Sequence, residues 1–318
     1  MKLGEAIDHY VGWRQAQGAK FTTARNLLRQ FIRHIGPETD CDEISRDQVL
    51  AFLIGPGPRT RHRDNKAYAL AGFWRFAISR GYASSSALPA SERRPPLLAP
   101  PHIYCRAQLQ RLFDPRNIEI ALICAKQLEL NTFRTLLLLL YGAGLRFSEA
   151  TGLLRDDCDL KESVLTIRDT KFHKSRLVPA GLPLAMVLAN HLSQPAGQRF
   201  APNGAGYLLS NRDGTRLASS TVQTAFDRLR RAAGVRGWAG GRSAPRMHDF
   251  RHSFAVHRLT AWYREGADVQ RLLPVLSTYL GHSDLEGTKI YLTLTPELLN
   301  QASMQFARFA HGGEDARA

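Results

Sequence analysis

Through the first eighty positions of the chain, apolar residues recur three and four residues apart with polar ones between them. That period marks amphipathic helices, and it predicts four of them, at residues 3–17, 22–35, 45–54 and about 60–80. Thr22 or Thr23 and Ser45 offer hydroxyls suited to helix N-caps, and Gly36 and Gly55 stand where helices stop. The pattern lapses over 84–101 (SSSALPASERRPPLLAPP), where Ser and paired Pro read as a semi-rigid extended linker. This sets a first domain at 1–90, a linker at 91–101 and a second domain at 102–318.

Beyond the linker the period predicts a short helix at 106–113 and a buried one at 131–141. Gly142, Ala143 and Gly144 break the latter, which resumes at 146–153. Alternation at 164–168 and 175–179 around a basic turn predicts a β-hairpin. A helix at 182–192, a strand at 207–210, a turn at 211–214 and a helix at 219–233 follow. After a Gly- and Arg-rich loop the chain reads as helical to about 310, ending in the tail HGGEDARA. The expected class is mainly α with a small antiparallel β-sheet, in two domains.

Composition alters this picture chiefly through charge. A net charge of +15 and a pI near 10.1 call for a polyanionic partner. No apolar run reaches the roughly 18–20 residues of a membrane span, and the start, MKLGEAIDHY, lacks the apolar core of a secretory signal. Nucleic acid is therefore favoured over a membrane, with a cytoplasmic, nucleoid-associated location. Cys41, Cys105, Cys124 and Cys158 have neither zinc-site nor disulfide spacing and read as small buried apolar residues. In the fourth helix Arg59, Arg61, Arg63, Lys66, Arg75 and Arg80 are almost unopposed by acid, opposite an apolar side of Tyr68, Leu70, Phe73, Trp74 and Phe76. Such a face either contacts phosphates or is simply solvated.

Candidate chemistry gathers in 246–291. His248 and Arg251 are three apart, hence on one helix face. Gly281 and His282 interrupt an apolar run, and Tyr291 follows nine residues after His282. A guanidinium fork matches phosphate oxygens, imidazoles move protons near neutral pH, and a phenol can attack. Each residue also has a plainer reading. Tyr291 in KIYLT fits an amphipathic core, Arg146 can pair with Glu149 at a helix start, and Arg251 can pair with Asp249. His252 and His257 read as structural. No P-loop is present, and the histidines with Asp249 and Asp284 lack metal-ligand spacing, so neither metal nor cofactor is expected.

Three stretches occur in order: YGAGLRFSEATGL at 141–153, HDFRHSFA at 248–255 and LGHSDLEGTKIY at 280–291. Together they resemble the signature boxes of the tyrosine recombinase (phage integrase) family, over roughly 102–310; the first domain resembles the family's core-binding domain in general character. The resemblance implies a catalytic set of Arg146, Lys171, His248, Arg251, His282 and Tyr291. Tyr291 would attack DNA to form a 3′-phosphotyrosyl link, the arginines would clamp the phosphate, and Lys171 would protonate the leaving oxygen. The family's Gly before that lysine is Thr170 here and the small residue after it is Phe172, leaving Lys171 or Lys174 open, with Lys171 favoured. Arg59, Arg61, Arg63, Lys66, Arg75 and Lys174 are the expected DNA contacts. The interval from Arg251 to His282 is longer than is common in the family, so 263–274 is expected to hold an extra turn or loop.

The implied function is site-specific recombination of double-stranded DNA, for integration or excision of a mobile element. The free protein would be a monomer or dimer and the synaptic complex a tetramer, with 296–309 docking into a neighbouring subunit or packing within its own. The alternatives are resolution of chromosome or plasmid dimers, type IB topoisomerase-like relaxation, and DNA binding without catalysis.

Overall fold

The computed structural model describes residues 1–19, 21–54, 61–89, 101–168, 175–200, 206–237 and 244–281, with Thr288, Tyr291 and Ser303. The chain divides into two compact units, Met1–Pro96 and Leu97–Ala318.

The first unit contains α1 (Leu3–Ala16), α2 (Thr22–Ile35), α3 (Arg46–Leu53) and α4 (Arg61–Ser79). Their apolar stripes meet in a core that includes Leu3, Ile7, Leu28, Phe31, Phe73 and Trp74. Each such side chain contributes about 1.5–3 kcal/mol on burial. Ser45 caps α3 as its hydroxyl suggests: Gln48 N–H donates to Ser45 Oγ at 3.2 Å, and Ser45 N–H donates back to the Gln48 side chain at 2.8 Å. The start of α2 differs from expectation. Phe21, at φ 45°, occupies the N-cap without a side-chain bond, and both threonines lie inside the first turn. Gly36, at φ 108°, ends that helix, a backbone state that favours glycine. Gly55 lies outside the described residues.

The second unit opens with α5 (Arg106–Phe113) and α6 (Pro115–Leu122). The periodicity overlooks α6, although Asp114 caps it and Pro115 holds its first position. Next come the buried α7 (Leu130–Gly142) and α8 (Phe147–Ala150), the latter one turn long where a helix over 146–153 is expected. The difference has a physical cause. Gly152 follows, where a Cβ would stand 2.9 Å from the Ser148 carbonyl, and the Arg216 guanidinium takes the Ser148 and Thr151 carbonyls at 2.8 and 3.0 Å. The strands β1 (Cys158–Asp159), β2 (Val164–Ile167) and β3 (Arg176–Pro179) form an antiparallel sheet in that order, with Leu165 opposite Val178. The predicted strand at 207–210 is absent: single bridges, Leu154 to Tyr207 and Ser210 to Arg216, replace a ladder.

Helices α9 (Leu182–Ser193), α10 (Ser219–Ala232), α11 (Asp249–Arg264) and α12 (Val269–Leu280) complete the described part. The fold is mainly helical with one small antiparallel sheet, as the pattern predicts. Of the predicted extra segment, 265–268 is a turn containing Gly266 at φ 71°, and α12 then starts behind the cap Asp268. The cysteines depart from a uniformly buried reading. Cys41 is buried and Cys158 half-buried, whereas Cys105 and Cys124 are exposed because they sit at the ends of α5 and α6. Among the described residues, no helix is long and apolar enough to cross a membrane.

Candidate active site

Gly144 leaves α7 with φ 59° and turns the chain into Arg146, the N-cap of α8. A Cβ at Gly144 would stand 2.6 Å from the Phe254 ring, so a larger residue fits neither the turn nor the space. Arg146 Nη1 donates to Glu149 at 2.8 Å, the helix-start pair foreseen as the plain alternative. That pair is only part of a larger network. Glu149 also accepts both ends of the Arg176 guanidinium, at 3.0 and 2.8 Å, and Arg176 Nε donates to the Tyr279 carbonyl at 2.9 Å. The spare Nη2 of Arg146 reaches across to the Gly281 carbonyl at 2.7 Å.

Arg251 meets it there. It is one of the largest fully buried side chains, and its fork donates to the Gly144 carbonyl at 2.7 Å and to the Leu280 carbonyl. It does not pair with Asp249, which binds Arg246 instead. Two arginines from distant boxes thus converge on neighbouring carbonyls at the end of α12. Burial, then the charge of Arg146, lowers the Arg251 pKa to about 10, so the group stays charged at neutral pH. Burial pushes the Glu149 carboxyl up, but its hydrogen bonds to Arg176 and Arg146 outweigh that and hold it at about 2. Three guanidinium groups stand here around one carboxylate that is bonded to only two of them, Arg146 and Arg176, an excess of positive charge matched to an anion.

Tyr291 lies on the same cluster. Its ring is 2% exposed and packs with Ala255, Val256, Leu259, Leu276 and Leu280. Its hydroxyl is not sealed in that apolar core: it lies 3.2 Å from His252 Nδ1, and Arg251 hydrogen-bonds to it. Burial raises the phenol's pKa against the opposing charges of Arg251 and Arg146, so the resting group carries its proton. His248 opens one edge to solvent and meets His252 edge-on, with ring centroids 4.7 Å apart. Desolvation of the rest of its ring, then the charge of Arg251, lowers its pKa. The turn carrying His248 is held by Tyr104, whose N–H donates to Ser253 Oγ at 2.8 Å and whose hydroxyl donates to the Arg246 carbonyl at 3.0 Å.

Lys171, Lys174, His282 and Arg59 lie outside the described residues, as does the side chain of Arg61. Arg63 is half-buried, and Arg75 is exposed on α4. Lys66 turns inward, its ammonium 3.0 Å from the Phe52 carbonyl and 4.2 Å from the centre of the Phe52 ring. The sequence reading missed an arginine beside α4: Arg14 joins Arg75 and Arg80 around a cleft floored by Tyr10, Gly72 and Phe76. It also missed Arg176 and set His252 aside. The signal for Arg176 was present. It shares a strand face with buried Val178 while Leu177 between them is 66% exposed, so an arginine stands on the inward side. Among the described residues no three His, Cys, Asp or Glu side chains group as metal ligands.

The backbone of this cluster is itself testable. Gly281, at φ 67°, aims its carbonyl at Arg146, and a Cβ there would meet Arg176 Nη1 at 2.8 Å. Gly281→Ala is therefore expected to cost roughly 1–3 kcal/mol in urea unfolding. An unchanged midpoint would mean the left-handed turn is dispensable.

The model of the phage integrase family matches residues 114–297, more than half of the chain. The chain belongs to the phage integrase family, the tyrosine recombinases. Its relatives include y4rE of Sinorhizobium fredii, named an integrase/recombinase, 32% identical over 98% of this chain and 97% of the relative. The tyrosine recombinase XerA of Thermococcus kodakarensis is 34% identical over 94% of each chain. Among solved structures, a lambda integrase tetramer bound to a Holliday junction shares the fold, with TM-score 0.62 and 17% identity over 89% of this chain and 78% of that one. In this chain Arg146, Arg251 and Tyr291 come from separate stretches, and the fold brings them together.

Proposed function

We propose that this tyrosine recombinase performs site-specific DNA recombination by metal-independent transesterification. Tyr291 attacks a phosphodiester, the bond to the 5′ oxygen breaks, and a 3′-phosphotyrosyl link results. The carrying observation is the convergence of Arg146, Arg251 and Tyr291 at the end of α12. A guanidinium has five donors, so Arg251 keeps N–H groups for a phosphate oxygen beyond those given to Gly144 and Leu280. Arg146 and Arg251 hold the non-bridging oxygens as charge grows on them. His248 hydrogen-bonds the phosphate or exchanges a proton there, His282 donates to it, and Lys171, or Lys174 in its place, gives the leaving oxygen its proton. The tyrosyl ester preserves the energy of the broken bond, so a second 5′ hydroxyl rejoins the strand without an external energy source.

The substrate is double-stranded DNA carrying specific sites, held by residues 1–90 and 102–318 on either side of the linker. Arg59, Arg61, Arg63, Arg75 and Lys174 contact the backbone, with Lys66 supporting α4 from within. Strands exchange between two duplexes in a tetramer. Integration or excision of a mobile element is the setting we infer, supported by the integrase naming of a relative that aligns over nearly the whole chain. The test is a nicked substrate from DNA flanking the gene, which traps the covalent complex. The unaltered protein is expected to give an adduct that Tyr291→Phe abolishes. No Tyr291-dependent adduct on any such substrate refutes the reading.

A further inference from the structure

Two guanidinium groups hold Glu149, and they hold it unequally. Arg176 spans the carboxylate, with Nη1 donating to Oε1 at 3.0 Å and Nη2 to Oε2 at 2.8 Å, whereas the Arg146 side chain reaches Oε1 alone, at 2.8 Å. Burial pushes the Glu149 carboxyl up, and hydrogen bonding from Arg176 stands first among the effects that bring it to about 2. Exposure divides the three. The side chain of Arg176 is 11% exposed and that of Glu149 6%, while Arg146 keeps 33%. Arg176 is the enclosed partner and Arg146 the one with an open side. Nε of Arg176 donates to the Tyr279 carbonyl at 2.9 Å, directly before the Leu280 and Gly281 carbonyls that receive Arg251 and Arg146. The strand that carries Arg176 is tied to the same helix end by the Tyr279 hydroxyl, which donates to the Pro179 carbonyl at 3.2 Å.

From this arrangement we infer that Arg176 is a positioning residue for DNA cleavage: it takes up the Glu149 carboxylate so that Arg146 keeps its positive charge for the scissile phosphate. The inference rests on the phosphotyrosyl reading above. A carboxylate bound by Arg146 alone would cancel that charge where the phosphate must sit. Here two positive charges meet one negative, and the charge left over lies on the more exposed guanidinium. The arrangement also lets Arg146 move. A buried charge stripped of its partner is strongly destabilising, so Glu149 with Arg146 as sole partner would oppose its transfer to a phosphate oxygen. With Arg176 on both of its oxygens, Glu149 stays paired while the Arg146 side chain turns to the phosphate. Arg176 takes no part in the bonds made or broken; it acts through Glu149 and Arg146.

Three variants separate this role from packing. Arg176→Gln leaves one carboxylate against one guanidinium and removes the surplus charge. Arg176→Lys keeps the surplus on a single-headed group, and the double variant, Arg176→Gln with Glu149→Gln, restores it by removing the carboxylate. Single-turnover adduct formation is measured on a nicked DNA site at saturating DNA, alongside DNA affinity and urea unfolding. Arg176→Gln is expected to bind DNA as the unaltered protein does and to form adduct roughly 10²-fold more slowly, the scale of a misplaced contact remote from the chemistry. Arg176→Lys and the double variant should each recover most of that loss. A residue that only packs predicts the opposite for the double variant, which alters two side chains of the network and would be the slowest. Arg176→Gln at unaltered speed, or either restoring variant no faster than Arg176→Gln, overturns the assignment. Should Arg176→Gln not fold, the two restoring variants are compared with the unaltered protein directly, and a loss of roughly 10²-fold in both overturns it. If the unaltered protein gives no adduct, the phosphotyrosyl reading fails first, and that outcome is distinct from an active protein indifferent to Arg176.

Discussion

Arg251→Lys is expected to slow formation of the covalent DNA complex by roughly 10²–10³-fold, the scale of losing one preorganised donor, while leaving charge at the position unchanged. The reason is shape. Arg251 spans the Gly144 and Leu280 carbonyls with two arms and still faces Tyr291, which a single ammonium cannot do. Arg251→Ala adds a folding defect, because two buried carbonyls lose their donor at about 1–3 kcal/mol each. The two variants thus part company: lysine mainly loses rate, and alanine loses rate and stability together. Adduct formation at matched folded fraction, with urea unfolding beside it, reads both. Near-normal cleavage by Arg251→Lys would show that a point charge suffices and that the fork is structural.

How much of this was legible in the sequence depended on the range of the interaction. Helices set by their own period came through with correct ends, as at Thr22–Ile35 and Arg106–Phe113, and so did the alternation that makes β2 and β3 a hairpin. Competition at helix ends was harder to see. Phe21 took the N-cap beside the hydroxyls of Thr22 and Thr23, and α8 stopped after one turn where Gly152 follows and Arg216, far along the chain, takes the Ser148 and Thr151 carbonyls. The boxes named Arg146, Arg251 and Tyr291 as candidates but not what each touches. That Arg251 would ignore Asp249 and bind carbonyls from two other elements is a matter of tertiary packing. So is the approach of His252 to a tyrosine 39 residues away, since helical period relates only residues within a few turns. An inward arginine on a strand was the one long-range clue written locally, at Arg176.

That clue leads to Glu149, the carboxylate on which Arg146 and Arg176 both depend. Its side chain is 6% exposed, so Glu149→Gln strips the shared counter-charge from two guanidinium groups in a nearly dry setting. Losing one partner of a buried ion pair costs about 3–5 kcal/mol, which for a unit of this size lowers the melting temperature by roughly 6–20 °C at about 2–4 °C per kcal/mol. The pH dependence carries its own signature. The folded carboxyl titrates at about 2, below the ordinary 4.5, so its contribution is fully present above 4.5. As pH falls through that value the unfolded chain takes up the proton first, and the stabilisation drains away until the folded pKa of about 2 is passed. The difference in unfolding free energy between the unaltered protein and Glu149→Gln should therefore be flat near neutrality and shrink between pH 4.5 and 2. Subtracting the two curves removes the other low carboxylates, Asp40 and Glu129 among them. Sulfate or DNA should also raise the melting temperature of Glu149→Gln more than that of the unaltered protein, because an anion then meets two guanidinium groups whose charge no carboxylate offsets. A difference that stays constant down to pH 2 would mean that Glu149 holds these arginines by packing and not by charge.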